Sequence, residues 1–172
     1  REFGAHVTGV TLSHEQLQFA QARLQGFGLQ HNSDLRLQDY RDIADGPYDA
    51  ICSIEMIEAV GHHFYDTYFG QCSRLLKPDG AMLLQAITIA DQRYEAAKNS
   101  VDFIQRYIFP GSCIPSIGAM CDAVKRVTNL RLIDLEDIGP HYATTLKCWR
   151  ENLMTNLSAV RALGYPEEFI RM

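Results

Sequence analysis

The sequence predicts an α/β fold built on a doubly wound, mainly parallel sheet, and three observations carry that expectation. Short β-branched or apolar runs recur at Val7–Thr11, Leu35–Leu37, Tyr48–Ile54 and Ala81–Ile89. Stretches with helical periodicity separate them, and capping or turn residues punctuate the joins. Strands that alternate with helices over the first 90 residues are the mark of a sheet whose crossovers lay helices on its faces.

Taken in order, Val7–Thr11 suits a buried parallel strand. Ser13-His14-Glu15-Gln16 has capping-box spacing, Leu17, Ala20 and Leu24 follow on one helical face, and Gly26 and Gly28 close the helix. Leu35–Leu37 is the second strand, Gly46-Pro47 a turn and Tyr48–Ile54 the third strand. Helical periodicity runs from His63 to Leu76, Lys77-Pro78-Asp79-Gly80 reads as a turn, and Ala81–Ile89 is a long apolar strand. Beyond it, Ser100–Ile108 looks helical, Phe109–Pro115 is a loop, and Ser116 caps a helix reaching Val127. Leu130–Leu135 reads as a further strand and Ala143–Leu163 as one long helix.

The chain of 172 residues is one domain's worth, with no repeat or linker. At 47% hydrophobic and 22% charged it is too apolar for disorder, yet no run approaches the ~20 apolar residues of a membrane span. Sixteen Lys and Arg against 21 Asp and Glu leave a net charge of −5, which argues against a nucleic-acid partner. Five cysteines, an odd number without a C-x-x-C pair, fit neither a disulfide scaffold nor a zinc site, and suit a reducing cytosol. Arg1-Glu2-Phe3-Gly4 reads as the last turn of a helix, and Pro166–Met172 as a helix just begun. The expectation is therefore residues 1–172 of one domain, truncated at both ends.

In open α/β sheets ligands sit at the carboxyl ends of the strands, and three polar clusters fall there: Thr11–Gln16, Asp39-Tyr40-Arg41 and Glu55–Gly61. That order suits an adenosine-containing cofactor, with Gln16 on ribose hydroxyls and Asp39 on an adenine amine beside the Tyr40 ring. The same residues also serve as a helix cap and a turn, and spacing alone leaves both readings open. No G-x-G-x-x-G or P-loop occurs. Glu55 and Glu58 lie among Ile54, Met56, Ile57 and Val60, where a carboxylate is paired, protonated or functional, or else an exposed acid at a helix start. His62-His63 lacks a third ligand at helical spacing, so a metal is not expected. Tyr142, after Gly139-Pro140-His141, is either a fixed phenol at a site or an anchor under the loop, and Cys148 and Trp149 are expected in the core.

Several segments together resemble the cyclopropane-fatty-acyl-phospholipid synthases, a family that includes mycolic-acid cyclopropane synthases and fatty-acid methyltransferases. They are Gly9–Gln16, Leu37–Asp42, Ser53–Gly61, Tyr65–Phe69, Leu75–Gly80, Ile108–Gly111 and Pro140–Leu146, in the family's order over nearly the whole chain. The resemblance implies a Rossmann-like class I methyltransferase fold and S-adenosylmethionine as cofactor. It places Thr11, Leu12 and Gln16 on the ribose and methionine side, and Asp39 and Tyr40 on the adenine. It also implies that the family's glycine-rich first motif, and a site cysteine, lie upstream of Arg1.

The reaction so implied is alkylation of a lipid cis double bond. The alkene attacks the sulfonium methyl, a carbocation forms, and loss of a proton from the added methyl closes a cyclopropane ring. Family members hold a bicarbonate near that cation, and by resemblance Glu58, Tyr142 and the amide of Ile87 would hold it here, a phenol face stabilising the cation. Two departures stand out: Ile57-Glu58-Ala59 replaces Phe-Glu-His, and Leu84-Gln85-Ala86-Ile87 replaces Leu-His-Thr-Ile. Gln85 donates a hydrogen bond but does not titrate. Members that make methyl-branched chains look similar at these positions, so a methylene- or methyl-branched product is the alternative to the ring. A non-catalytic remnant that binds lipid or protein is a third reading. The partner implied is an unsaturated acyl lipid at a membrane surface, reached by a cytoplasmic protein in peripheral contact with it.

Overall fold

The computed structural model describes residues 3–172, so Arg1 and Glu2 of the expected N-terminal helix end lie outside it. Gly4 does adopt the left-handed φ of +61°. By contacts the chain forms two compact units, the first reaching Arg131 and the second spanning Leu132–Met172.

In the first unit, Val7–Thr11 (β1) pairs in parallel with Ser33–Leu37 (β2), from Val7 opposite Ser33 to Thr11 opposite Leu37. The crossover between them is helix His14–Gly26 (α1). Ser13 caps it by accepting from Gln16 N at 3.2 Å. Only this half of the capping box forms, because the Gln16 side chain is held by the Thr11 hydroxyl instead, at 2.8 Å. The glycine stop is a Schellman closure: Gly28 N donates to Gln25 O and Leu29 N to Leu24 O, with Gly28 at φ +66°.

Tyr48–Ile54 (β3) pairs in parallel with Leu76–Gln85 (β4). Their crossover holds a four-residue helix, Ile57–Val60 (α2), a 3-10 turn at His62–Phe64, and helix Tyr65–Leu75 (α3). Here the structure departs from the sequence expectation, since Lys77-Pro78-Asp79-Gly80 is not a turn ahead of the strand but lies within it. Tyr48 faces Leu76 and Ala50 faces Ala81, so the extra residues of β4 are looped out of the ladder. Pro78 has no N–H to give the ladder, which makes this the natural place for a bulge. Gly80 is required there: a Cβ would sit 3.1 Å from the carbonyl oxygens of both Asp49 and Lys77. Gly80→Ala should therefore destabilise the protein by about 1–3 kcal/mol, read as a lowered thermal midpoint.

Asp91–Lys98 (α4), Phe103–Tyr107 (α5) and Ile117–Val127 (α6) complete this unit. Asp102 and Gln105 form a reciprocal capping box, and Ser116 caps α6 by accepting from Ala119 N. The core gathers Ile57, Tyr65, Tyr68, Phe69, Cys72, Tyr94, Cys113 and Ala123, with Ile51, Met82 and Leu84 of the β3–β4 pair packed against it. Leu130–Leu135, expected as a strand, is irregular. The segment joins no ladder among the described residues and is exposed from Arg131 to Leu135, and propensity alone does not make a strand.

The second unit holds Gly139–Thr155 (α7), Leu157–Ala162 (α8) and Glu167–Arg171 (α9). The single long helix expected over Ala143–Leu163 starts earlier, with Pro140 in its first turn, and breaks at Asn156. The Asn156 side chain donates back to Asn152 O at 2.8 Å, the local bonding by which Asn competes with helix continuation. Cys148 and Trp149 are not core residues as expected: both are exposed, and none of the three helices buries a side chain. So short a unit encloses little interior of its own.

Candidate functional site

The register of each strand pair sets carboxyl ends side by side, Thr11 beside Leu37 and Ile54 beside Gln85. The chain leaves β1, β2 and β3 into segments that carry polar residues, whereas β4 runs on into the mainly apolar Ala86–Ile89, and the candidate residues of the first unit lie in or next to these segments.

After β1, the Thr11 hydroxyl donates to Gln16 Oε1 and accepts from Ser13 N at 3.1 Å. Leu12 is 73% exposed beside this pair, so an apolar side chain stands open next to a hydroxyl and an amide. After β2, Asp39 starts a 3-10 turn at Tyr40–Asp42. Its Oδ1 accepts from the Arg41 backbone N and Nε, both at 2.9 Å, and its Oδ2 from Arg41 Nη2 at 2.6 Å. These bonds hold the Asp39 carboxyl below the usual carboxylate range.

Tyr40 packs its ring edge-on against Tyr68 at 5.6 Å, and burial pushes its phenol up. The Tyr68 hydroxyl in turn meets Ser53 Oγ of β3 at 2.6 Å, both groups being buried. Gln71 of α3 donates to Tyr40 O at 3.1 Å and Ile43 O at 3.0 Å, and Arg74 also donates to Ile43 O. The loop after β2 is thereby stitched to α3 and, through Tyr68, to β3.

After β3, Glu55 adopts φ +49°. Its N–H donates to Gln85 O at 2.9 Å, and Gln85 Nε2 donates to Glu55 Oε1 at 3.1 Å. One turn on, Glu58 Oε1 accepts from Ile87 N at 2.6 Å, while Glu58 Oε2 is buried without a hydrogen-bond partner. Cys113 N donates to Glu58 O at 2.8 Å, and Ile89 N to Pro115 O at 2.9 Å, which ties the loop before α6 to both segments. A buried carboxylate oxygen left open is an acceptor for a ligand that brings a hydroxyl or an N–H.

Thr11 is thus joined to Gln16, and Glu58 to Ile87, but Gln85 meets Glu55 rather than Glu58. The Ile87 amide, which the resemblance would aim at an anion, donates to Glu58 itself. Tyr142 belongs to the second unit, where it is 43% exposed with its ring edge-on to Trp149 at 6.0 Å. His62 and His63 do not splay apart as on an α-helix: in their 3-10 turn the rings lie 3.8 Å apart. The expectations missed Ser53, Tyr68 and Gln71, which set the loop after β2, and the partnership of Glu55 with Gln85. Ser53 was detectable as the hydroxyl residue within the otherwise apolar Ala50–Ile54 half of its strand. The Gln71 bonds to backbone carbonyls leave no trace in sequence.

Parallel strands with helical crossovers make an open α/β fold, and the solved structures on which the chain superposes give it the class I S-adenosylmethionine-dependent methyltransferase fold. The family model described as mycolic acid cyclopropane synthetase matches residues 1–172, and the chain belongs to that family. It is 43% identical over 169 residues to a tuberculostearic acid methyltransferase of Mycobacterium tuberculosis, covering 98% of this chain and 39% of that protein. It is 36% identical over 170 residues to the cyclopropane-fatty-acyl-phospholipid synthase of Escherichia coli K12, covering 99% of this chain and 41% of that one. The chain thus spans about two fifths of the length of these relatives. Among solved structures it superposes on a mycolic acid cyclopropane synthase complexed with SAH and CTAB, with a TM-score of 0.82 at 30% identity, over 96% of this chain and 61% of that one. No described helix is long and apolar enough to cross a membrane.

Proposed function

We propose that the whole protein transfers the methyl group of S-adenosylmethionine to the cis double bond of an unsaturated acyl chain of a phospholipid, and that loss of a proton then closes a cyclopropane ring. The observation that carries this reading is the Glu58 carboxylate, one oxygen fixed on the Ile87 amide and the other buried and open. Negative charge held there by a backbone donor is what a carbocation formed nearby needs, and a preorganised charge stabilises it without reorganisation.

The residues fit the cofactor. Thr11 and Gln16 present a hydroxyl and an amide for a ribose diol, ionised Asp39 accepts from an amine, and Tyr40 offers a half-buried ring. S-adenosylmethionine, when bound, supplies an electrophilic methyl on a sulfonium. SAH, present in the related structure, is the donor after loss of that methyl. Bicarbonate also fits Glu58, since its hydroxyl would satisfy the open Oε2. In the first unit, Glu58 would hold that anion, with Gln85 two residues before Ile87, whose amide donates to Glu58. Tyr142 is assigned to the cation on resemblance. The lipid would be met at a membrane surface from the cytoplasmic side.

A second product is favoured by a specific contact. Because Gln85 Nε2 is engaged by Glu55, it is not directed at Glu58. A methylene- or methyl-branched chain is the outcome when the proton is removed late, and the similarity to a tuberculostearic acid methyltransferase supports that reading. Lipid mass spectrometry on cells that express the whole protein tests the proposal. Acyl chains one CH2 heavier should appear, with fragmentation or proton NMR separating ring from branch. Their absence, in cells supplied with unsaturated lipid, would exclude both products.

A further inference from the structure

Glu55 is the non-glycine residue that adopts positive φ among the described residues, at +49°. An L side chain disfavours that region, and such a conformation persists where neighbouring contacts hold it. Two contacts do so here, and both come from Gln85: the backbone bond of 2.9 Å and the side-chain bond of 3.1 Å. Three residues later, Glu58 Oε1 takes the amide of Ile87, itself two residues beyond Gln85. The ends of β3 and β4 are thus cross-linked twice, and the buried Glu58 Oε2 has no donor although an amide side chain stands at Gln85.

We infer that Glu55 is a positioning residue: it tethers the Gln85 amide away from Glu58 and so sets which product the carbocation gives. The inference rests on the methyl-transfer reading above. After the new C–C bond has formed and the S–CH3 bond has broken, the cation on the acyl chain has two exits. Prompt loss of a proton from the added methyl to a weak base (water or bicarbonate) lets the C–H electron pair close the ring. Alternatively a 1,2-hydride shift moves the cation to the methyl-bearing carbon, and proton loss from the methyl then leaves a methylene branch. An amide free to reach Glu58 would help hold the base there and favour the prompt exit. Held by Glu55, it does not.

Glu55→Gly in the whole protein isolates the tether, because glycine adopts φ +49° without strain and only the carboxylate is lost. The ratio of ring to branched lipid should rise about fivefold, the effect of one hydrogen bond gained by one exit. The affinity for SAH by calorimetry should stay within about twofold, since Glu55 touches none of the proposed cofactor residues. The Gln85 side-chain amide resonance, assigned through its loss in Gln85→Leu, should shift in a glutamine-labelled NMR spectrum. Glu55→Gln keeps an acceptor oxygen for Gln85 and should retain the wild-type ratio. An unmoved resonance and an unchanged ratio in Glu55→Gly would overturn the inference while leaving methyl transfer intact. A wild-type protein that neither binds SAH nor modifies lipid would overturn the methyl-transfer reading, and the inference with it.

Discussion

Glu58→Gln should lower turnover by about 10²–10³-fold, the range seen when one preorganised electrostatic contact is removed from a reaction centre. The substitution keeps an oxygen for the Ile87 amide but replaces the buried, open Oε2 with an NH2, a donor where an acceptor stood, and removes the charge. SAH affinity should change little, because the residues proposed for the cofactor lie in the turns after β1 and β2. A loss confined to kcat, with binding retained, marks an interaction made in the transition state. Calorimetry with SAH beside single-turnover lipid assays separates the two, and unchanged turnover would remove Glu58 from the chemistry.

The second large effect falls on the residue next to it. Ile57 is 0% exposed within the cluster of Tyr65, Tyr68, Phe69 and Cys72. Ile57→Ala should cost about 2–5 kcal/mol through lost burial and the cavity left behind. At roughly 2–4 °C per kcal/mol for a protein of this size, calorimetric melting should show a drop of order 10 °C. Ile57→Val should cost only about 0.5–1.5 kcal/mol. A small change in Ile57→Ala would mean that the α2 turn does not draw its rigidity from this side chain.

Much of the fold was legible because its signals are local. Val7–Thr11 and Tyr48–Ile54 matched their strands to the residue, since β-branched and apolar runs between turn residues have few other uses. Ser116 started α6 and Gly28 closed α1 where caps and left-handed glycines must. What failed depended on partners distant in sequence. Leu130–Leu135 has strand composition without a strand to meet, and Pro78 sits inside β4 because the opposite strand allows a bulge there. At the site, the chemistry-bearing types could be read at strand ends, and Glu55 and Glu58 stood out together as acids in apolar company. The sequence could not tell that its neighbour Glu55 would take Gln85, because that bond spans 30 residues and depends on a left-handed backbone. Nor could it separate the two oxygens of Glu58, one satisfied and one not.

The contact from Tyr40 through Tyr68 to Ser53 has a thermodynamic consequence. Ser53 lies two residues before Glu55 on β3, whereas Tyr40 belongs to the turn after β2. A ligand seated on the Tyr40 ring would bear on Tyr68 and, through it, on the hydroxyl pair at the end of β3. Linkage then makes the bargain mutual: whatever factor occupancy at Tyr40 adds to binding near Glu58, occupancy near Glu58 returns to Tyr40, about tenfold for every 1.4 kcal/mol of coupling. Order of addition would leave no mark on the final affinities, and the spent ligand, if it grips Tyr40 as the fresh one does, would hold the second site equally tight.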